Sequence, residues 1–141
     1  MRLTVAAIAV ISLAFSLPAL SCKCRDVPLD ERFAEYPDVL ILRTTGESRA
    51  DDGSPLSKAE ILESFKGAHR ANETVWLDTF SHSDCMAPSA KDAKFIAFTR
   101  SDEHGHMAVS ACSTIPLAAD ADGDALLLKL RALAAPKQSA R

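Results

Sequence analysis

The stretch "LPALSCKCRD", residues 17–26, places two of the chain's four cysteines directly behind an apolar segment. Cys22 and Cys24 flank a single lysine, whereas Cys85 and Cys112 lie far along the chain. Three interpretations of the Cys-Lys-Cys sequence are open: a lipid attachment site, a pair of thiolate metal ligands, or a mature N-terminus held by two disulfides. The flanking residues and the cysteine count bear on this choice.

The N-terminal segment has the features of a secretory signal peptide. Arg2 precedes an apolar run of about 15 residues, shorter than the roughly 20 residues of a membrane-spanning helix. Ala19 and Ser21 form a small-x-small cleavage pattern directly before Cys22. We therefore predict a signal peptide over residues 1–21, with Cys22 as the first residue of the mature protein. An uncleaved membrane anchor is the alternative.

The cysteine count favours disulfides over metal ligands. An even number of cysteines in an exported chain is typical of a disulfide framework. Zinc sites built from thiolates usually have C-x-x-C spacing, which the sequence lacks. Cys22 and Cys24 are too close to pair with each other, so each is expected to pair with Cys85 or Cys112, and both connectivities are open. A lipoprotein signal would also be cut before Cys22, and lipidation of its sulfur would leave another cysteine unpaired.

Five segments of the mature chain predict short β-strands. They are apolar or rich in β-branched and aromatic residues, and turn-forming residues separate them. Trp76, in the third segment, is expected in the core. Residues 45–57 are predicted to be a loop, and residues 113–116 a break. The five segments are residues 39–42, 59–65 (also compatible with a helix), 73–80, 94–99 and 107–112.

The C-terminal part of the chain predicts one amphipathic helix. Leu126, Leu130 and Leu133 recur at the spacing of a single helical face, and Asp122 or Asp124 can cap the start of the helix. Residues 136–141 are predicted to be a flexible tail. Because closing a sheet removes its exposed edges, five short strands suggest a small barrel. The net charge of -3 gives no reason to expect a nucleic-acid partner.

A mature chain that opens with Cys-x-Cys resembles the tissue inhibitors of metalloproteinases (TIMPs) and the wider netrin-like (NTR) family, including its small bacterial members. Other matching stretches occur in the family's order, and the resemblance covers about residues 22–117. The matching stretches are "ERFAEYPDVLILRT" (31–44), "ILESFKG" (61–67), "SHSDC" (81–85) and "ACSTIPL" (111–117).

The resemblance implies a mainly-β domain over residues 22–135, a five-stranded OB-fold-like Greek-key barrel with a C-terminal helix. It also implies the disulfides Cys22–Cys85 and Cys24–Cys112. In the family's inhibitors, the α-amino group and carbonyl of the first cysteine chelate the catalytic zinc of the target protease. The next residue, here Lys23, lies at the mouth of the protease's specificity pocket.

We therefore expect Cys22, Lys23 and Cys24 to form an inhibitory, zinc-chelating edge. The expected partner is an extracellular or periplasmic protein, with a zinc metalloprotease as the candidate that the resemblance implies. The expected location is secreted or periplasmic, and a membrane is involved only if Cys22 carries a lipid. A lipid-anchored envelope protein with a structural or metal-binding role is the alternative.

The remaining candidate residues give weaker signals. His104 and His106 could bind a metal ion together with His82, and a solvated hairpin is the other interpretation. The acidic segment 120–124 lacks the residue order of an EF-hand loop and is interpreted as a helix cap. The sequence contains no G-x-S-x-G, H-E-x-x-H or C-x-x-C motif, so we expect neither an enzyme nor a cofactor.

Overall fold

The structure, a computed structural model, describes residues 22–79 and 85–136. The predicted signal peptide, His82 with most of the "SHSDC" stretch, and the tail after residue 136 lie outside these residues. None of the helices in the described ranges is long and apolar enough to cross a membrane.

The described chain contains two α-helices, six β-strands and one 3-10 turn. In chain order they are α1 (Leu29–Glu35), β1 (Asp38–Arg49), β2 (Pro55–Lys66), β3 (Thr74–Asp78), β4 (Lys94–Thr99), β5 (Met107–Ala108), the 3-10 turn (Ala111–Ser113), β6 (Thr114–Pro116) and α2 (Ala121–Ala134).

The strands form a single mixed sheet in the order β5-β3-β2-β1-β4-β6. β3 and β5 run parallel, with Leu77 opposite Met107, and the other neighbouring strands are antiparallel. β1 and β2 are the longest strands, with 12 residues each, and form the centre of the sheet. The prediction of a mainly-β fold with a C-terminal helix is therefore confirmed.

The sheet separates two apolar clusters. Leu40 and Leu42 of β1 belong to one cluster, whereas Val39 and Ile41, which alternate with them, belong to the other. Leu130 of α2 is fully buried in the second cluster, against which residues of α1 also pack. Because successive side chains of a strand point to opposite faces, β1 is buried on both sides, as the apolar run 39–42 predicted.

The predicted closed barrel of five strands is not what the structure contains. The sheet has six strands and is open, with β5 and β6 at its edges. The predicted strand 107–112 stops after Ala108, and a 3-10 turn follows at Ala111. The amide of Ser110 donates to Oγ of Ser113 at 2.9 Å, which closes this turn and breaks the extended backbone. The chain then pairs with β4 through β6, where a break was predicted.

The predicted loop 45–57 is also wrong. β1 continues to Arg49 and β2 begins at Pro55, so only residues 50–54 form the turn between them. The outer parts of both strands carry polar side chains on the solvent side, which conceals the strand pattern. Residues 59–65, whose pattern was ambiguous, are strand rather than helix.

Helix α2 occupies the predicted place, but its cap differs. The carboxylate of Asp120 accepts a hydrogen bond from the amide of Gly123 at 2.9 Å, whereas Asp122 and Asp124 lie in the first turn. Asp120 is the cap because an N-cap side chain accepts from an amide two or three residues ahead of it, which Gly123 supplies here. The interpretation of the acidic segment as a helix cap agrees with this geometry.

Candidate functional site

Two disulfides fasten the start of the described chain to the sheet. Cys22 is bonded to Cys85 and Cys24 to Cys112, with Cα–Cα distances of 5.5 and 5.1 Å. Both distances lie within the usual range for disulfides. The prediction of disulfide bonding is confirmed, and the pairing is the one that the resemblance implies.

The two anchoring cysteines belong to one local unit. The amide of Ala111 donates to the carbonyl oxygen of Cys85 at 3.1 Å, and Met86 forms an isolated β-bridge with Ser110. Cys112 lies in the 3-10 turn that begins at Ala111. Cys85 and Cys112 are thus held next to each other by backbone hydrogen bonds. The N-terminal segment is therefore attached twice to a single small platform.

The anchored segment is open to solvent. Residues 22–26 are all exposed, and they lie outside any helix or strand, ahead of α1, which begins at Leu29. Lys23 lies between the two bridged cysteines, so its backbone is constrained on both sides. Arg25 forms a solvent-exposed ion pair with Glu31 at 3.6 Å, a type of contact that adds little stability. We name residues 22–26 the N-terminal edge.

A small cavity of about 190 Å³ lies next to the platform that carries both disulfides. Ser110 and Ser113, from the platform that carries both disulfides, form part of its wall. The guanidinium of Arg100 lies 5.9 Å from the centre of the Tyr36 ring, so a cation and an aromatic ring border the opening. Sequence reasoning did not find this cavity, because its walls come from distant parts of the chain.

The structure brings His104 and His106 together, and the described part of the chain adds no third ligand. The rings of His104 and His106 stack with centroids 5.9 Å apart. Among residues 22–79 and 85–136, no group of three or more His, Cys, Asp or Glu side chains is placed to hold a metal ion. His82 lies outside the described residues, so a metal at this pair stays a prediction.

A carboxylate orders the loop that carries these histidines. Oδ1 of Asp102 accepts hydrogen bonds from the backbone amides of His104 and His106, both at 2.8 Å. Burial raises the pKa of Asp102, but the two amide bonds and the nearby imidazoles outweigh it, so the pKa lies below its ordinary value. In residues 100–106, which we name the β4–β5 loop, the ionised carboxylate of Asp102 therefore holds two backbone amides at neutral pH.

The prediction that Trp76 lies in the core is wrong. Its neighbours Val75 and Leu77 are buried, whereas Trp76 is 42% exposed. Strand alternation accounts for this difference, because neighbours of two inward-facing residues must face outward. The indole borders a cleft that also contains His104 and His106.

The fold and the site define a class of protein: a mainly-β domain whose exposed N-terminal edge is anchored by two disulfides. No protein-family model matches the chain, and no curated protein matches it.

Proposed function

We propose that the chain is a secreted, disulfide-stabilised binding module of the TIMP/NTR-like kind. We further propose that its N-terminal edge binds and inhibits a zinc metalloprotease through Cys22. The observation that carries this proposal is the double attachment of an exposed segment, through Cys22 and Cys24, to one platform. Disulfides are typical of oxidising compartments, which supports a location outside the cytoplasm.

The strand connections support the proposed relation to the OB-fold barrel. β3 and β5 are parallel neighbours, and β1 pairs with both β2 and β4. The amide of Ala108 donates to the carbonyl oxygen of Arg100 at 3.2 Å, and Ser101 forms an isolated bridge with Met107. These contacts bring the β5 edge towards the end of β4. We therefore propose an opened five-stranded OB-like barrel to which β6 is added as an edge strand.

The chemistry of the edge suits a zinc ligand. Removal of the predicted signal peptide would give Cys22 a free α-amino group, whose ordinary pKa is near 8. A catalytic zinc keeps an open coordination position, and zinc binding favours the neutral amine. Because the disulfide already holds Cys22, little conformational freedom would be lost when the amine reaches the metal.

Lys23 defines which protease pocket suits this edge. An ammonium group that enters an apolar pocket loses its hydration without compensation. A pocket that contains a carboxylate would instead pair with the charge. The proposed target is therefore a zinc metalloprotease with an acidic or water-filled specificity pocket.

The decisive experiment compares two extensions of the mature, oxidised protein. One variant carries a single alanine before Cys22, and the matched control carries the same alanine after Arg141. We expect the native protein and the control to inhibit zinc metalloproteases equally, and the N-terminal extension to lose about 100-fold or more in affinity because the amine is displaced. Inhibition that survives the N-terminal alanine would reject chelation by Cys22.

Intact-mass measurement tests the premise of this experiment. The proposal requires a mature chain that begins at Cys22 and weighs four hydrogens less than its reduced form, because each of the two disulfides removes two. Added diacylglycerol and acyl mass on Cys22 would indicate the lipid-anchored alternative. An uncleaved N-terminus would reject the chelating edge.

A further inference from the structure

A second and larger cleft opens at one end of the sheet, between two loops. The turn of residues 50–54 forms one side and the β4–β5 loop forms the other. Its volume is about 650 Å³, within the roughly 300–1,000 Å³ of small-molecule sites. Its lining includes Trp76, Arg49, Asp52, Asp102, His104 and His106. None of these residues belongs to the N-terminal edge.

The cleft contains an exposed aromatic side chain, that of Trp76. Trp76 is the only tryptophan of the chain, and it stands on the outer face of β3 with 42% of its surface accessible. Leu56, from the start of β2, also lines the cleft and adds apolar surface. A flat indole that remains exposed offers a large apolar area for stacking with a ligand.

The polar groups on both sides of the cleft are held in place by their own loops. Asp52 accepts a hydrogen bond from the amide of Ser54 at 2.9 Å, and Asp102 accepts from two amides of the β4–β5 loop. Nη1 of Arg49 donates to the carbonyl oxygen of Gly53 at 3.0 Å. These bonds restrict the side chains before a ligand arrives, which lowers the cost of ordering them on binding.

The cleft offers both hydrogen-bond acceptors and donors. The carboxylates of Asp51, Asp52, Asp78 and Asp102 are acceptors, whereas Arg49 and the two imidazoles can donate. A sugar ring presents an apolar C–H face and hydroxyl groups that both donate and accept at its edge. A cation could use the carboxylates and imidazoles, but it would be repelled by Arg49 and would leave the indole face without a role, whereas a polyanion would be repelled by the carboxylates.

We propose that this cleft binds a neutral oligosaccharide, with one sugar ring stacked on Trp76 and its hydroxyl groups bonded to the carboxylates and donors of the two loops. This site is separate from the N-terminal edge and does not depend on the proposed protease inhibition. The protein would accordingly combine a protein-binding edge with a carbohydrate-binding cleft.

The test uses the fluorescence of Trp76, which reports on the cleft directly because the chain has no other tryptophan. The oxidised mature protein is titrated with tetrasaccharides of glucose, galactose, mannose and N-acetylglucosamine, each up to about 10 mM, where even a weak site would fill. We expect a saturable change in Trp76 emission with at least one of them. Spermidine and zinc chloride are titrated in parallel.

Calorimetry of variants then tests whether the sugar stacks on Trp76. Trp76→Ala should weaken binding of the responding sugar by about tenfold or more, and Trp76→Phe should weaken it less because a ring is retained. The matched control is Leu128→Ala, which removes an exposed apolar side chain from α2 outside the cleft and should leave affinity unchanged. Because Trp76 is exposed, its replacement should preserve the fold, which the count of free thiols and the melting temperature verify.

Three results would overturn the proposal. One is the absence of a saturable response to every neutral sugar, and another is a response to spermidine or zinc alone, which would identify a cation site. The third is equal sugar affinity of Trp76→Ala and the native protein. None of these results affects the protease experiment, which has a different readout.

Discussion

Lys66 donates a hydrogen bond from Nζ to the carbonyl oxygen of Phe33 at 2.8 Å, across 33 residues of chain. The same ammonium lies 3.1 Å from the carbonyl oxygen of Ala34 and 5.5 Å from the centre of the Phe33 ring. The last carbonyls of a helix lack partners within it and carry its negative dipole end. Lys66, at the end of β2, therefore caps α1 and ties it to the sheet.

Replacing Lys66 should loosen α1. We expect Lys66→Met to lower the free energy of unfolding by about 1–2 kcal/mol, because two charge-assisted hydrogen bonds and a cation–π contact are lost. Urea denaturation measures this loss, and amide exchange in residues 29–35 should accelerate. Lys129→Met, on the exposed face of α2, is the matched control and should change stability little. Equal effects of the two variants would contradict the capping role.

Gly67 follows Lys66 in a conformation that only glycine tolerates well. Its φ is +111°, and a Cβ atom there would lie 2.0 Å from Oδ1 of Asp38. We expect Gly67→Ala to destabilise the protein by about 2–3 kcal/mol, through both backbone strain and the clash.

Gly53 supplies the control for Gly67. Its φ is +85°, but a Cβ atom would meet nothing within 4 Å. Gly53→Ala should therefore lower the free energy of unfolding by only about 1 kcal/mol, because backbone strain is its sole effect. Thermal and urea unfolding of both variants measures the difference, and a Gly67→Ala protein no less stable than Gly53→Ala would refute the close approach of Asp38.

Each disulfide should contribute strongly to stability. The bridges span 63 and 88 residues of sequence, so each restricts the unfolded chain by about 4 kcal/mol in the chain-entropy description. We expect the double variants Cys22→Ser/Cys85→Ser and Cys24→Ser/Cys112→Ser to lose similar amounts in guanidinium denaturation. A loss below about 1 kcal/mol for either pair would mean that the unfolded chain is already compact around that bridge.

The proposed inhibition predicts that the charge of Lys23 decides selectivity among zinc metalloproteases. Lys23→Ala should inhibit enzymes with apolar specificity pockets about tenfold better than the native protein, because no ammonium is desolvated. Enzymes with a carboxylate in the pocket should show the opposite order. Inhibition constants over a panel of zinc metalloproteases provide the measurement. Arg25→Ala serves as control, since this exposed residue pairs with Glu31. An identical ranking of proteases for Lys23→Ala and the native protein would exclude contact between Lys23 and the pocket.

Acid should loosen the β4–β5 loop through Asp102. The pKa of this carboxyl is lowered in the folded protein, so its stabilising effect is complete above the ordinary aspartate pKa of about 3.9 and is lost as the pH falls through the lower folded value. We expect the amide resonances of His104 and His106 to shift in that acidic range in NMR spectra. Asp102→Asn should abolish this transition, and Glu103→Gln should preserve it. A midpoint at or above the ordinary aspartate pKa would contradict the amide bonds.

Local sequence predicted the strands that are apolar on both faces. The strand 94–99 has the predicted bounds, and the run 39–42 forms the start of β1. In such segments nearly every residue is apolar, so neither partner nor register is needed to identify them. The polar ends of β1 and β2 gave no such signal, because their strand structure depends on pairing with each other, as between Arg49 and Pro55, and not on an apolar pattern.

The candidate sites were harder to predict for the same reason. Val75 and Leu77 are apolar neighbours of Trp76, and strand alternation places the indole on the opposite face from them. The prediction used only the β-propensity of the segment, and it placed Trp76 in the core. The cleft at Trp76 forms only when the turn 50–54 and the β4–β5 loop meet across the sheet. Nothing in either segment by itself marks the other as its neighbour.

The order of the cysteines along the chain determines when each disulfide can form during synthesis. Cys22 and Cys24 are synthesised early, but their partners follow 63 and 88 residues later. Until Cys85 has left the ribosome, the first two thiols have no native partner, and an oxidant that joined successive cysteines would produce the wrong bonds. The Cys22–Cys85 bridge can therefore close once β1, β2 and β3 have been made, whereas the Cys24–Cys112 bridge must wait for every strand except β6. The first bond fastens the chain start to half of a sheet, and the second fastens it after the other half has been added.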